Sequence, residues 1–453
     1  MNDTIAAISS SGGPIGLIRV SGERAIEAIN AVFQAKNGKP LTEAPSQKLV
    51  YGTLTDKSGN VIDCCYAVAL HAPHTYTGET MAELQCHGSP AVLAMALEAL
   101  FAQGVRQAGP GEFTKRAFLN GKLDLTQAEA VADLLEAETP AAVRQAAGQL
   151  SGALSRRVAA LYDGLVDLMA HFHAVLDYPD EDIDPFRADT IRAGLDTART
   201  GLEALLRTYD RGRYIAGGVP CVLIGRPNAG KSSLLNALLG YDRAIVTDVA
   251  GTTRDTVEEK VRVGHVLLRL CDTAGIHQTE DAVEKIGVER ARAAARQASL
   301  ALLVLDGSSP LTEADREAMA LARQAPNLLV AVNKSDLPRA VDIGRLADEF
   351  DNVVSLSARS GEGVSVLCDA IGAMYPAGEG RPGELLTNAR QADAVSRALA
   401  SVRSARSALR IGMTPDVVLT DAEAALEALG ELNGKHIRDD LIQTIFSRFC
   451  VGK

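Results

Sequence analysis

The chain has no tryptophan, and aromatic residues make up only 4% of its 453 positions. Proteins that stack bases of single-stranded nucleic acid on their surface need a series of aromatic side chains, so this class is disfavoured. Basic residues are also fewer than acidic ones, 46 against 57, which gives a net charge of −11. Non-specific wrapping of nucleic acid needs many phosphate-neutralising cations and is therefore disfavoured as well, although one local basic site stays compatible with this charge.

Cysteine is sparse, and its placement is irregular. The seven cysteines are an odd number, and no two have the Cys-x-x-Cys spacing, so we expect neither a disulfide framework nor a structural zinc site. No run of about 18 apolar residues occurs, and the N-terminus lacks a basic region followed by an apolar block. We therefore expect no transmembrane helix, no secretory signal, no membrane partner and a cytoplasmic location.

The periodicity of the chain changes three times, and its length allows roughly three domains. Residues 1–118 mix short apolar strands with Gly and Pro, which predicts a small α+β domain. Residues 119–212 and 377–453 have helical periodicity and are predicted to be two halves of one all-helical domain. Residues 213–376 alternate strands and helices, which predicts an inserted α/β domain with a mostly parallel sheet.

Two helix starts and one long helix are predicted in the first helical half. Residues 126–129 fit a capping box, and Thr139-Pro140 fits an N-cap followed by proline at the first helical position. Apolar residues from Leu150 to Leu176 recur at intervals of three and four. This spacing predicts one continuous helix with an apolar stripe.

Residues 225–232 read Gly-Arg-Pro-Asn-Ala-Gly-Lys-Ser, follow an apolar strand and open a helix. Both pattern and context are those of a P-loop; a glycine-rich turn that only caps a helix is the weaker alternative. We expect its backbone N–H groups to bind phosphate, Lys231 to reach the β- and γ-phosphates, and Ser232 to bind Mg²⁺. The other nucleotide contacts predicted in this segment are Asn228, Ala229, Gly230 and Ser233.

Three further segments indicate which nucleotide binds. Asp272 follows a strand and can organise Mg²⁺ with its waters. Asp336 ends an Asn-Lys-Ser-Asp segment and can accept hydrogen bonds from guanine N1–H and the 2-amino group, which adenine lacks. A third loop would offer backbone N–H groups to guanine O6. The order of the segments resembles the translation-factor class of GTPases, with predicted contacts at Asp272, Thr273, Ala274, Gly275, Asn333, Lys334, Asp336, Ser357, Ala358 and Arg359.

The residues between the P-loop and Asp272 bear on hydrolysis. Residues 251–255 resemble a switch segment whose Thr253 binds Mg²⁺ only while the γ-phosphate is present. Many small GTPases carry a water-orienting Gln after the Asp-x-x-Gly segment, but Ile276 stands there, so another group must orient water. Asn228 and backbone carbonyls of the switch segment are suitable ligands for a monovalent cation, whereas Asn228 could equally stabilise its own turn. Both alternatives stay open.

Motifs outside the GTPase segments extend the pattern. Residues 110–124 read Pro-Gly-Glu-Phe-Thr-Lys-Arg-Ala-Phe-Leu-Asn-Gly-Lys-Leu-Asp, and residues 449–453 read Phe-Cys-Val-Gly-Lys. With a GTPase domain inserted in a helical domain, they resemble the MnmE (TrmE) family of tRNA modification GTPases over essentially the whole chain. The resemblance implies a homodimer formed through residues 1–118, which would also bind 5-formyl-tetrahydrofolate. It further implies an FAD-containing partner, MnmG (GidA), with which a carboxymethylaminomethyl-type group is added to C5 of the wobble uridine of certain tRNAs.

The same resemblance implies roles for individual residues. Hydrolysis would be stimulated by K⁺ as the GTPase domains dimerise, Mg²⁺ would be held by Ser232 and Thr253, and Glu284, otherwise an ordinary surface residue, would position the attacking water. Asp248, Ala250 and Gly251 would complete the nucleotide contacts. The implied K⁺ ligands are Asn228, Thr247, Val249 and Thr252, and the implied folate contacts are Arg19, Glu83, Lys122 and Lys453.

Cys450 and the overall activity leave alternatives open. Cys450 could be a nucleophile towards uridine C6 or a one-carbon unit, or a small buried hydrophobe. A GTP-dependent ribosome-assembly switch would share the pattern of residues 219–375 but not the N-terminal domain or the terminal Cys-x-Gly-Lys. A folate-binding regulator without chemistry of its own is a third possibility. Formyl-folate binding would separate the tRNA-modifying GTPase and the folate-binding regulator from the assembly switch.

Overall fold

The computed structural model describes residues 3–177, 188–241, 259–270, 292–376, 381–435, 442, 445–447 and 449–452. The chain forms two units. The first contains Met1–Leu135, Gln149–Arg199 and Arg397–Lys453, and the second contains Glu136–Gly148 and Thr200–Ser396. Within the described residues, no helix has the length and apolar character needed to cross a membrane.

The first unit begins with a seven-stranded sheet. Its strands are β1 (Ile5–Ser10), β2 (Ile15–Ser21), β3 (Phe33–Ala35), β4 (Leu49–Thr55), β5 (Val61–Leu70), β6 (Met81–His87) and β7 (Arg106–Gln107). Their order is β3-β4-β5-β6-β2-β1-β7, and only the β1–β7 pair is parallel. Two helices, α1 (Ala25–Val32) and α2 (Pro90–Phe101), contribute to the core on one side of this sheet. The predicted α+β domain is confirmed.

The opposite face of this sheet presents apolar side chains to solvent. Tyr51 and Tyr66 lie directly across from each other on β4 and β5, with ring centroids 5.2 Å apart. Both are exposed, as are Leu49 on β4 and Ile15 on β2. Because side chains alternate along a strand, the same three strands place Leu54, Ala67 and Ile18 in the core with α1 and α2.

A series of helices follows the sheet. They are α3 (Glu112–Leu119), α4 (Leu125–Glu136), α5 (Pro140–Leu150), α6 (Ala153–Asp177), α7 (Ala188–Leu206) and α8 (Tyr209–Gly217). The predicted start of α5 is confirmed, since Thr139 Oγ1 accepts a hydrogen bond of 3.1 Å from Ala142 N.

Two helix predictions in this region are wrong. α4 begins at Leu125, so Thr126 lies inside the helix; the reciprocal capping bonds instead join Asp124 and Gln127, with Asp124 Oδ1 accepting from Gln127 N and Gln127 Oε1 accepting from Asp124 N. The apolar stripe from Leu150 does not belong to one helix, because Gly152 has φ +83° and separates α5 from α6. Periodicity alone continued the stripe across this break.

The second unit contains a six-stranded sheet with the order β13-β12-β11-β8-β10-β9, in which only the β9–β10 pair is antiparallel. The strands are β8 (Val219–Ile224), β9 (Glu259–Val263), β10 (Val266–Leu270), β11 (Leu300–Asp306), β12 (Leu328–Asn333) and β13 (Val353–Ser355). The described helices that alternate with these strands are α9 (Lys231–Tyr241), α10 (Glu313–Ala322), α11 (Ile343–Glu349) and α12 (Val364–Met374). The predicted mostly parallel α/β domain is confirmed.

The central strand β11 is buried at every position. Leu302 and Val304 pack into the core on one face of the sheet, while Leu303 and Leu305 pack into the core on the other. Burial on both faces explains its unbroken apolar sequence, because a parallel sheet is covered by helices on both sides. Two further helices, α13 (Ala389–Arg410) and α14 (Pro415–Asn433), lie in the predicted C-terminal helical segment.

Candidate nucleotide-binding site

The P-loop connects β8 to α9 at the carboxyl edge of the parallel sheet. Asn228 and Gly230 have φ values of +63° and +100°. A Cβ atom on Gly230 would lie 2.1 Å from Asn333 Nδ2, so only glycine allows this close approach. Lys231 Nζ donates to the carbonyls of Gly225 at 2.7 Å and Arg226 at 3.0 Å, and burial lowers its pKa. The ammonium group therefore lies within the loop that is predicted to bind phosphate.

Asn333 joins three loops that are far apart in sequence. It is buried at the end of β12, with its Nδ2 donating to Ala229 O at 2.9 Å and its Oδ1 accepting from Ala358 N at 2.9 Å. An amide side chain can donate and accept at once, whereas a carboxylate only accepts. The side chain thus holds the P-loop and the loop after β13 against the Asn-Lys-Ser-Asp segment.

Asp336 lies at the exposed rim of this arrangement. A hydrogen bond from Ser357 lowers its pKa, and the nearby charges of Arg359 and Lys334 act in the same direction. Its carboxylate is therefore ionised and suited to accept hydrogen bonds from a guanine edge. Ser357 N donates to Glu362 O at 2.8 Å, and Ala358 N is used by Asn333. Two of the three amides predicted for guanine O6 thus already have acceptors.

Sequence reasoning missed two residues of this site, Arg226 and Asp306. Lys334 Nζ donates to Asp306 Oδ2 at 2.7 Å, and Arg226 Nη2 donates to the same oxygen at 3.2 Å. Burial opposes ionisation of Asp306, but the hydrogen bonds from Lys334 and Ser308 lower its pKa to about 2. The signal was present in the sequence, because Asp306 ends an apolar run, which is the pattern that led to the prediction for Asp272.

Several predicted residues lie outside the described part of the chain. They include the switch segment, the Asp-x-x-Gly segment, the implied water-positioning glutamate and the last folate contact: Thr247, Asp248, Val249, Ala250, Gly251, Thr252, Thr253, Asp272, Thr273, Ala274, Gly275, Glu284 and Lys453. Their roles stay predictions. Ser232 and Ser233 are described and exposed in the first turn of α9.

The folate candidates Arg19 and Glu83 lie side by side on β2 and β6. Arg19 Nε donates to Glu83 Oε1 at 2.8 Å. The Arg19 guanidinium also lies over the rings of Tyr76, 5.4 Å from its centroid, and Phe113, 5.9 Å away. Cation–π contacts of this kind hold the guanidinium in one orientation. Sequence reasoning did not identify either ring.

Lys122 reaches the same region through the loop after β5. Its Nζ donates to Pro73 O at 3.1 Å, and Asn120 Nδ2 donates to Thr77 O at 2.8 Å. Tyr76, in this loop, shares a hydrogen bond of 2.8 Å with the Thr114 hydroxyl. The loop therefore connects Lys122 to the ring that contacts Arg19.

Helix α3 carries a buried cation next to these residues. Arg116 has only 1% of its surface exposed. Its guanidinium donates to Asp3 Oδ1 at 2.8 Å, Glu79 Oε2 at 3.0 Å and Glu112 Oε1 at 3.1 Å. Arg106 adds ion pairs to Asp3 and Glu112, and hydrogen bonds to these arginines lower the pKa of Asp3 and, against the effect of burial, that of Glu112. Sequence reasoning assigned no role to this cluster.

The C-terminal tail lies against the N-terminal sheet within the first unit. Pro110 and Val451 form a β-bridge, Gly111 N donates to Cys450 O at 3.2 Å, and Ser9 Oγ donates to Gly452 O at 2.8 Å. The Cys450 side chain is exposed. This contradicts the alternative in which Cys450 is a small buried hydrophobe.

Comparison with known families matches residues 4–122 to the GTP-binding protein TrmE N-terminus and residues 125–450 to the MnmE helical domain. The tRNA modification GTPase MnmE of Alkaliphilus metalliredigens is 41% identical over 460 residues, covering 100% of both chains. That of Lactobacillus delbrueckii subsp. bulgaricus is 43% identical over 457 residues, covering 100% of this chain and 98% of the relative. Among solved structures, the G domain of the T. maritima FeoB iron transporter is 26% identical, with a TM-score of 0.26, and covers 35% of this chain and 98% of that one.

Proposed function

Because this chain belongs to the MnmE family of tRNA modification GTPases, we propose that it couples GTP hydrolysis to modification of the wobble uridine. In this proposal it acts as a homodimer with an FAD-containing MnmG (GidA) partner in a heterotetramer or larger complex. The complex adds a carboxymethylaminomethyl-type group to C5 of the uridine, with the one-carbon unit taken from 5-formyl-tetrahydrofolate. FAD on the partner would supply the redox chemistry.

The observation that carries the proposal is the junction at Asn333. One buried amide holds the P-loop and the loop after β13 together, and the ionised Asp336 lies three residues away at the rim. A nucleotide bound with its phosphates at the P-loop would have its base edge within reach of that carboxylate. This geometry supports guanine over adenine, because adenine offers no donor pair to a carboxylate at that edge.

Mass spectrometry of tRNA nucleosides tests the whole proposal. A strain lacking this gene would be complemented with the wild-type protein or with Asp336→Asn, which weakens guanine recognition. We expect C5-aminomethyl-type derivatives of the wobble uridine to disappear on deletion and to return only with the wild-type protein. An unchanged nucleoside profile after deletion would contradict the proposal and favour a ribosome-assembly switch.

Mg²⁺ and K⁺ are the cofactors proposed for hydrolysis. Ser232, exposed in the first turn of α9, would bind Mg²⁺ together with Thr253, and the ions would offset negative charge that develops on the phosphates. Of the four proposed K⁺ ligands, Asn228 lies in the described part of the chain, where its exposed side chain stands in a left-handed turn of the P-loop. GTP hydrolysis in KCl and NaCl at equal ionic strength tests this point. We expect faster hydrolysis in KCl with the wild-type protein and equal rates in both salts with Asn228→Ala.

The folate part of the proposal rests on Arg19, Glu83 and Lys122. A carboxylate suits the donor edge of a pterin, and cations suit the carboxylates of a folate tail. Because Arg19 already pairs with Glu83, binding of a pterin at Glu83 would redistribute that ion pair. Isothermal titration with 5-formyl-tetrahydrofolate is expected to show binding to the wild-type chain and weaker binding to Glu83→Gln. The matched control is Glu98→Gln, an exposed glutamate on α2. Equal affinity of the two variants would contradict the assignment.

The open face of the N-terminal sheet supports the homodimer. Tyr51, Tyr66 and Leu49 form a contiguous apolar surface on neighbouring strands, and a second copy would remove it from water. Sedimentation equilibrium of the wild-type protein and of Tyr66→Glu measures whether this face is needed for dimerisation. A dimer that persists with Tyr66→Glu would place the interface elsewhere.

Cys450 is proposed to act near the folate candidates, because the tail that carries it is attached to β1 and to the turn before α3. Its exposure leaves the thiol accessible to a reaction partner. The nucleoside assay with Cys450→Ser tests this role: full restoration of the modified uridine would show that the thiol is dispensable.

A further inference from the structure

Asp306 occupies a central place in the second sheet. It is the last residue of β11, the strand between β8, which leads into the P-loop, and β12, which leads into the Asn-Lys-Ser-Asp segment. In the strand register Asp306 is the partner of Asn333, and Leu303 is the partner of Ile224. Because the carboxyl ends of parallel strands meet at one edge, its side chain lies between the two loops.

Every contact of the Asp306 carboxylate fixes its orientation. Oδ2 accepts from Lys334 Nζ at 2.7 Å and from Arg226 Nη2 at 3.2 Å. Oδ1 accepts from the backbone N of Ser308 at 3.0 Å and from its hydroxyl at 2.6 Å. The residue is only 8% exposed. One buried carboxylate oxygen is thus shared by a cation of the P-loop and a cation of the Asn-Lys-Ser-Asp segment.

Arg226 connects the Asp306 carboxylate to the phosphate-binding loop. Its Nε lies 3.2 Å from Asp315 Oδ1, and its Nη2 also donates to the Ser309 hydroxyl. Asp315 is itself fixed by the capping box at the start of α10. The backbone carbonyl of Arg226 is one of the two that accept from Lys231 Nζ. The position of the Arg226 backbone therefore sets the position of the lysine predicted to contact phosphate.

Lys334 connects the Asp306 carboxylate to the Asn-Lys-Ser-Asp segment, which is predicted to recognise the base. Its backbone is left-handed, with φ +66°, a conformation that is costly for a non-glycine residue. The Lys334 side chain is held by Asp306, and Asp336 lies two residues further along the same loop. Fixing Lys334 therefore limits where the Asp336 carboxylate can stand.

We propose that Asp306 is a positioning residue of the nucleotide site, which holds the phosphate-binding and guanine-binding loops at the separation that one nucleotide spans. This inference rests on the proposed binding of GTP. A nucleotide that contacts both loops binds more tightly when their spacing is set beforehand, because the cost of ordering them is not taken from the binding free energy. The Asn333 amide bonds the backbones of the P-loop and the loop after β13, whereas Asp306 joins charged side chains of the P-loop and the Asn-Lys-Ser-Asp segment.

A double-mutant cycle on the full-length protein tests the proposal. The probe is N-methylanthraniloyl-GDP with Mg²⁺, followed by fluorescence titration. Arg226→Met, Lys334→Met and the double variant are prepared in the wild-type background and again with Asp306→Asn. Asp348→Asn, an exposed carboxylate on α11, is the matched control. Circular dichroism verifies that each variant is folded.

We expect Asp306→Asn to weaken GDP binding about tenfold, the size of effect typical of a lost hydrogen bond to a charged group, and Asp348→Asn to leave it unchanged. In the wild-type background the effects of Arg226→Met and Lys334→Met should be non-additive, whereas with Asp306→Asn they should add. If Asp306 only stabilised the turn at Ser308, Asp306→Asn would leave the coupling between Arg226 and Lys334 unchanged.

Three results would overturn the inference. They are unchanged affinity in folded Asp306→Asn, equal coupling in both backgrounds, and additivity of the Arg226 and Lys334 substitutions in the wild-type background. The last result applies even if Asp306→Asn does not fold. Failure of the wild-type protein to bind GDP is a separate outcome, because it would overturn the proposed nucleotide site itself.

Discussion

The nucleotide site and the folate candidate region use charge in different ways. In the nucleotide site, short contiguous motifs place glycines, Lys231 and Asp336 at the edge of a parallel sheet, and one neutral amide, Asn333, joins the loops. In the N-terminal region, Arg19 and Glu83 come from different strands, and the nearby Arg116 is buried among three carboxylates. The phosphate-binding loop of the first site depends on backbone geometry, whereas the second region depends on pairing between distant charges.

This difference explains why the nucleotide site and the folate candidate region are unequally visible in the sequence. A loop that binds phosphate through its backbone needs glycine at defined spacings, so it leaves a motif. A charge pair between strands leaves none, because an isolated arginine or glutamate is indistinguishable from a solvated surface residue. Substitutions in each region, together with a change of pH in the nucleotide site, test this explanation.

Arg116→Leu is expected to destabilise the N-terminal region by about 3 kcal/mol, because it removes a buried guanidinium whose hydrogen bonds to Asp3, Glu79 and Glu112 are charge-assisted. The exposed Arg24, whose side chain is 62% accessible, offers a matched control; Arg24→Leu should change stability by less than about 0.5 kcal/mol. Hydrogen exchange of peptides from α3 and β6 measures the effect locally. Equal protection in the two variants would show that the Arg116 cluster does not stabilise this region.

Gly230→Ala is expected to weaken GDP binding by about a hundredfold, or about 2.7 kcal/mol. The new Cβ would stand 2.1 Å from Asn333 Nδ2 and would also disfavour the φ of +100°. Gly240→Ala, near the end of α9, is the control, because the added Cβ would meet no atom of another part of the chain within 4 Å. Fluorescence titration that finds similar affinity for both variants would show that the backbone approach at Asn333 is not needed.

Acidification should test the charged part of the nucleotide site. The pKa of Asp306 in the folded protein is about 2, below the ordinary value of 3.8. Such a group contributes stability above pH ~4 and loses it as the pH falls towards 2, and the shift corresponds to about 2 kcal/mol. Hydrogen exchange of β11 and β12 at pH 6 and pH 3 measures this. Asp306→Asn should remove part of the acid dependence; an unchanged difference between the two pH values would show that Asp306 does not contribute to it.

The strands and glycine positions of the nucleotide site were largely predictable. The predicted alternation of strands and helices is present in the α/β domain, and the predicted P-loop stands between β8 and α9. Helix ends were harder: the glycine at position 152 interrupts a stripe that reads as continuous, and Asp124 takes the capping role that the pattern assigned to Thr126. Both errors concern single residues whose local hydrogen bonds compete with periodicity.

The sequence was enough to predict the features that depend on backbone conformation and local order: the P-loop, the Asn-Lys-Ser-Asp segment, the alternation of strands and helices, and the family. Only the tertiary structure decided which charges meet. Arg116 and Asp3 are 113 residues apart, Arg226 and Asp306 are 80 apart, and Arg19 and Glu83 are 64 apart. Such pairs depend on strand register and burial, which give one charged residue a partner and leave an identical residue in solvent.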